Sequence, residues 1–313
     1  MSDLLKVDMH IHVYPNVETG VREKAYEVWE YGRLDGVRYS ECTGTHAEIS
    51  DSMCRAGFSK AVLLIYFKGE SRLRELEENQ RREGREIDEP EIARLKGVVE
   101  QELVELNRWG CSIAKSDERI STFITIDVGI QSPEGAAEMV VELARREGAK
   151  GLKLHSALQG FSMSDRRLWP VYTVCQEMGL PVLGHAGPDK GGKGLSDPNA
   201  FAEMLGAFPK LKVVVAHMGG AAWRQTLDIA RKYENAVFDC SEIIHWTGAP
   251  NAPSDYELAR LIKDVGPERV MLGSDFPWYD LDTTIERFFA LPVLSDDEKM
   301  AIAGANAVRI LRL

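Results

Sequence analysis

Short apolar runs, separated by longer amphipathic stretches, set the pattern of this chain. Eight of them read as buried strands: about 6–12, Lys60–Tyr66, Ile120–Asp127, Gly151–His155, Pro181–His185, Leu211–His217, Ala236–Cys240 and Val270–Ser274. Helices are predicted between and after them, at Ile92–Trp109, Pro133–Glu147, Asp165–Met178, Pro198–Leu205, Ala221–Lys232, Ser254–Val265, Asp282–Phe289 and Asp296–Arg312. Ser132 and Pro133 form a start signal for one of them, and Gly148 a stop. Apolar strands alternating with helices predict a parallel sheet covered on both faces. The expected fold is α/β, a closed (β/α)8 TIM barrel. A doubly wound open sheet is the alternative. The strand count of eight favours the barrel, and so do the polar residues gathered at strand C-terminal ends.

Two stretches break the alternation. Residues 13–59 form an insertion after strand one, with helices expected at Glu23–Tyr31 and Glu48–Ala56. It carries Tyr26, Trp29 and Tyr31 and is a candidate lid or subunit contact. Residues 68–110 form a second insertion, whose charged part, about 68–99, reads as a solvated helix face. Residues 1–313 are expected to make one barrel domain bearing these two insertions.

Charge narrows the function. The formal balance is 38 − 49 = −11, which argues against nonspecific nucleic-acid binding. No apolar run reaches transmembrane length and no signal-peptide pattern stands at the start, so a cytoplasmic setting is expected. Cys42, Cys54, Cys111, Cys175 and Cys240 make no close pair and read as reduced thiols. No Gly-x-Gly-x-x-Gly follows any strand. Gly187–Gly194 is glycine-rich but lacks the Walker spacing and reads as a mobile active-site loop, with phosphate binding the lesser option.

The chemistry sits at the strand ends. Residues two apart in a strand share a side, so His10 and His12 can face one point, with Met9 and Ile11 packed behind. Alone the pair is a weak signal. The other strand ends add Lys153 and His155, His185, His217, Asp239 and Glu242, and Asp275. In a barrel these ends share one face, which points to a metal-dependent enzyme.

Several motifs then carry a resemblance. They are Asp8-Met-His-Ile-His12, Gly151-Leu-Lys-Leu-His155, Pro181-Val-Leu-Gly-His185, Val215-Ala-His-Met-Gly-Gly220, Leu272-Gly-Ser-Asp-Phe-Pro277 and Asn306-Ala-Val-Arg-Ile-Leu311. The chain resembles the amidohydrolase superfamily, in the amidohydrolase-related branch. That branch includes aminocarboxymuconate-semialdehyde decarboxylase, resorcylate decarboxylases and metal-dependent lactone hydrolases. The resemblance implies that His10, His12, His185 and Asp275 hold one divalent metal, Zn2+ first and Mn2+ as the alternative. It implies an acid–base or polarising role for His217. In some relatives a lysine in the position of Lys153 is carboxylated and bridges two metals. Here its context resembles the mononuclear branch, and pairing with a buried carboxylate or orienting substrate is expected instead. His155 is divided between substrate contact and a structural hydrogen bond.

Hydrolysis of a small ester, lactone or amide by activated water is the leading reading, with Asp275 taking the water proton and His217 stabilising the oxyanion. The alternative is nonoxidative decarboxylation of an aromatic or muconate-like acid. Hydration of a diene acid and a noncatalytic metal-binding scaffold remain as lesser readings. Arg33, Arg38 and His46 are candidates for a substrate carboxylate, with surface roles slightly preferred. Trp246, Phe276 and Trp278 are candidates for an apolar wall, and packing beneath the loops is equally credible. The expected partners are a small-molecule substrate, no nucleic acid, no membrane, and a second copy in a homodimer.

Overall fold

The computed structural model describes residues 5–187 and 192–313, with side chains left out at 30 and 31. Eight parallel strands hydrogen-bond in the order of the chain. They are β1 (Val7–Ile11), β2 (Lys60–Leu64), β3 (Ile120–Ile124), β4 (Gly151–Leu154), β5 (Val182–Gly184), β6 (Val213–Val215), β7 (Ala236–Asp239) and β8 (Val270–Met271). Beyond β8 the chain meets β1 again. Met9 N donates to Leu272 O at 2.9 Å, Asp275 N to His10 O at 2.8 Å and His12 N to Phe276 O at 2.6 Å. Those bonds satisfy the two edges that an open sheet would leave bare. The molecule is a (β/α)8 barrel.

The strands are shorter than their apolar runs because the chain leaves the ladder where polar residues begin. Leu211–His217 contributes only Val213–Val215 as strand. Helix ends follow their caps. Ser132 Oγ accepts from Gly135 N, and Thr45 and Ser254 open helices with capping boxes.

An inner cluster fills the barrel below the histidines, with Val7, Met9, Val62, Leu64, Phe123, Leu183, Val214, Val237 and Met271. Ala307, Ile310 and Leu311 of the last helix join it and close that side. A larger cluster lies between strands and outer helices.

The segment after β1 contains helix Val17–Tyr31 and helix His46–Ala56, and the latter packs against Leu281–Ala290. After β2 come helices Gly69–Arg82 and Glu89–Ser116. They are laced by ion pairs such as Arg72–Glu102 at 2.8 Å, the solvated faces expected of the charged tract. Among the described residues no helix is long and apolar enough to cross a membrane.

Candidate metal centre and active-site cavity

β1 steps three residues, from Asp8 opposite Ala61 to Ile11 opposite Leu63, where β2 steps two. Such a bulge re-aims side chains. Met9 therefore packs inside the barrel, His10 also faces inward, and Ile11 turns out to the helices. This corrects the expected packing of Met9 and Ile11 together behind the histidines.

His10 Nε2 and His12 Nε2 each lie 3.3 Å from Asp275 Oδ1. The opposite ring nitrogens fix the tautomers. His12 Nδ1 lies 2.8 Å from Leu64 O, which can only accept, so Nδ1 carries the proton and Nε2 the lone pair. His10 Nδ1 lies 3.2 Å from Asp239 Oδ2, which acts the same way on His10. Burial, joined by the Lys153 ammonium, pushes His10 down to about 3 and keeps it neutral. Two imidazole lone pairs and a carboxylate oxygen thus converge, with Lys153 Nζ beside His10 Nε2 at 3.3 Å. That donor set fits a divalent cation.

His185 is not part of that group. Its ring stacks on His155 at 3.9 Å and its Nδ1 lies 3.1 Å from His217 Nε2. His217 Nδ1 in turn faces Ser241 O at 3.1 Å. If each Nδ1 carries the proton, the chain of donors leaves His185 Nε2 as a lone pair. That atom is buried and has no partner among the described residues. Burial lowers His155, His185 and His217, so these rings are neutral too. A second group, His10, His217 and Asp239, also lies close together. Asp239 is already committed, accepting from His217 N, Ser241 N and Ser241 Oγ, and is wholly buried away from the cavity.

Lys153 is fully buried, with Nζ 3.3 Å from His10 Nε2, and burial lowers it to about 8. Among the described residues it forms no carboxylate ion pair, and it does not line the cavity. The expectation of a buried carboxylate partner is corrected: Lys153 sits beside the imidazole.

Above the histidines opens a cavity of about 210 Å³. His12, His155, His185, His217 and Asp275 form its floor, and Tyr66, Trp246, Trp278 and Tyr279 its walls. Three strand-end residues, His217, Glu242 and Asp275, have φ of 55°, 59° and 63°. Left-handed backbone at such residues is costly and clusters at functional sites. Gly220 lets the turn after His217 approach β5, since a Cβ there would stand 2.5 Å from Ala186 O.

The helix Val17–Tyr31 walls one side with Lys24, Glu27 and Val28. Arg33 and Tyr39 follow at the mouth, with the guanidinium 5.0 Å from the Tyr39 ring centre. Arg38 and His46 are not among the lining residues. His46 Nε2 instead meets Asp117 Oδ2 at 3.3 Å. Phe276 is packed in the core, whereas Trp246 and Trp278 reach the cavity. Of the Gly187–Gly194 loop, residues 188–191 lie outside the described residues. Sequence reasoning gave no role to Glu27, Ser241 or Tyr66, and nothing in their local pattern marks them.

A family model described as Amidohydrolase matches residues 7–313. The chain belongs to the amidohydrolase family. Solved structures share the fold of this amidohydrolase at low identity. The 5-carboxyvanillate decarboxylase of Sphingomonas paucimobilis is 19% identical with a TM-score of 0.66, covering 99% of each chain. A proposed 2-pyrone-4,6-dicarboxylic acid hydrolase from Pseudomonas putida is 16% identical with a TM-score of 0.63, covering 99% of this chain and 98% of that one. The 5-carboxyvanillate decarboxylase of Novosphingobium aromaticivorans, complexed with manganese and a nitrobenzoic acid, is 16% identical with a TM-score of 0.62, covering 99% and 96%.

Proposed function

We propose that this amidohydrolase hydrolyses a small ester, lactone or amide in the cavity above His10 and His12. The observation that carries the reading is Asp275, whose Oδ1 lies 3.3 Å from both Nε2 atoms while its side chain opens on the cavity. His10, His12 and Asp275 would hold one divalent metal, with the unpaired Nε2 of His185 as the further donor. Zinc suits the three imidazoles and one carboxylate, and manganese, present in one decarboxylase of this fold, is the alternative. Bound there, the cation would supply Lewis acidity, polarising a carbonyl and making a water more acidic.

The chain's own groups do the rest. Asp275 accepts the proton from the attacking water as its oxygen bonds to the carbonyl carbon. It returns that proton to the leaving oxygen or nitrogen as the C–O or C–N bond breaks, so water is consumed and an acid and an alcohol or amine result. His217, with Nδ1 directed at Ser241 O, presents Nε2 as a proton acceptor rather than an oxyanion donor. Tyr66, Trp246 and Trp278 shield the reacting carbonyl from bulk water.

Nonoxidative decarboxylation of an aromatic or muconate-like acid is the alternative reading. The test is turnover by metal-loaded protein in 18O-water across small esters, lactones, amides and aromatic acids. Label in a new carboxyl group supports the reading. CO2 release from an acid with no label uptake overturns it in favour of decarboxylation.

A further inference from the structure

We infer that His155 donates a hydrogen bond, through Nε2–H, to the substrate oxygen that gains negative charge as the carbonyl is attacked. The inference rests on the hydrolase reading of the cavity and adds a residue to its chemistry. His155 follows β4 and opens the short helix Ser156–Gln159. Its backbone is clamped there: His155 N donates to Gln159 Oε1 at 2.8 Å, and Gln159 Nε2 to Ile126 O at 2.7 Å. One face of the ring lies on His185, with centres 3.9 Å apart and planes at 14°. The ring of Tyr66 stands beside it, 5.9 Å between centres.

One hydrogen bond decides where the proton of this ring sits. Leu158 N donates to His155 Nδ1 at 3.4 Å. A backbone N–H can only donate, so Nδ1 holds the lone pair and Nε2 the proton. The other floor imidazoles are set the opposite way. His12 Nδ1 faces Leu64 O, His217 Nδ1 faces Ser241 O and His185 Nδ1 faces His217 Nε2, which leaves their Nε2 atoms as lone pairs. Of the four floor imidazoles, His155 alone turns an N–H outward.

That N–H has nothing to bond within the chain. His155 is only 5% exposed, and its Nε2 has no hydrogen-bond partner among the described residues. The atom is not sealed off as His185 Nε2 is, and the residue lines the cavity, so the small exposed part of the ring includes Nε2 and meets the cavity. An unspent donor at so buried a position costs stability unless a ligand atom accepts from it. In an ester, lactone or amide the carbonyl oxygen is the atom whose accepting power rises most during attack. A fixed donor aimed at that developing charge, in a site shielded from water, stabilises the transition state more than the ground state. His217 presents an acceptor and leaves this role open. The stack on His185 puts the donor beside a proposed metal ligand, where the reacting carbonyl would lie. His155 keeps its proton throughout, and no bond to it forms or breaks.

The test is calorimetry on the zinc-loaded protein with phenyl methylphosphonate, a singly charged tetrahedral mimic of an attacked ester, and its uncharged isostere phenyl methanesulfonate. The unaltered protein should prefer the phosphonate. His155→Phe keeps a ring to stack on His185 but has no N–H, and should cut that preference about tenfold or more, the size of one hydrogen bond to a charged oxygen. Zinc affinity should stay the same, and His155→Gln, which carries an amide N–H, should recover part of the loss. An unchanged preference in His155→Phe overturns the donor, as does the lack of any preference in the unaltered protein. A matching fall in zinc affinity would make the ring a prop for His185 and likewise overturn it. Nitrogen-15 NMR of the unaltered protein needs no variant: the His155 proton should sit on Nε2, and its signal should shift when the phosphonate binds. A proton on Nδ1 overturns the inference. These results do not require turnover, so a failure to incorporate 18O with all of them intact would count against hydrolysis and leave the donor in place.

Discussion

His10 Nδ1 lies 3.2 Å from Asp239 Oδ2, and both side chains are sealed from solvent. The carboxylate, held ionised by His10 and Ser241 despite its burial, fixes the ring so that Nε2 points at Asp275. A partner of this kind orients a metal ligand and raises its basicity. Asp239→Asn should weaken metal affinity about 10- to 100-fold while leaving the fold in place. Competition against a chromophoric chelator measures it, with circular dichroism as the fold control. Unchanged affinity would detach Asp239 from the metal site.

Asp275 and His185 should behave differently when removed. Asp275 Oδ1 is the atom on which His10 and His12 converge, so Asp275→Asn should lose most bound metal. His185 stands beside His217 with Nε2 buried and unpaired, an arrangement that costs stability unless something binds there. His185→Ala should lower metal content per chain without lowering the melting temperature of the metal-free protein. Full occupancy in that variant would take His185 out of the ligand set.

The barrel was legible because its strands are apolar on both faces and end in polar residues. His10, His12, His185, His217 and Asp275 could be placed at one end from that pattern alone. The bulge in β1 was not legible, since Asp8, His10 and His12 alternate with Val7, Met9 and Ile11 as they would in a regular strand. Glu27 was hidden for a related reason. Its helix exposes Val17, Val21 and Trp29 while turning Lys24 and Glu27 inward, the reverse of an ordinary surface helix. The partner of His46 was not legible either, because Asp117 is 71 residues away in the chain. Tertiary pairing of that range leaves no local trace.

Glu27 makes stability depend on pH in a definite direction. Burial carries it from 4.5 to about 8, so the folded protein keeps a proton that the unfolded chain has released. Stability from this group is full below the unfolded value and is lost as pH rises toward about 8. Glu27→Gln has no such loss. The melting temperature of the variant, relative to the unaltered protein, should climb between about pH 5 and pH 8 and level off above. Each kcal/mol corresponds to about 2–4 °C in a chain of this order of size. A difference that stays flat over that range would show that Glu27 is ionised throughout.

Lys24 fastens the insertion to the barrel. Its ammonium ties the carbonyls of Ser40 and Cys42 to that of Pro277, which follows β8, and so holds the segment that carries Tyr39 over the cavity. Lys24→Met keeps much of the stem's packing but removes three charge-assisted hydrogen bonds, a loss of about 2–3 kcal/mol if water replaces them in part. The barrel strands do not depend on those bonds, so the cost should fall on local opening of the segment rather than on global unfolding. Amides near residues 39–45 should exchange hydrogen at least about tenfold faster, with protection in β3 to β6 unchanged. Unaltered exchange in the segment would mean that packing of Tyr14 and Pro277 around Gly44, not Lys24, holds it in place.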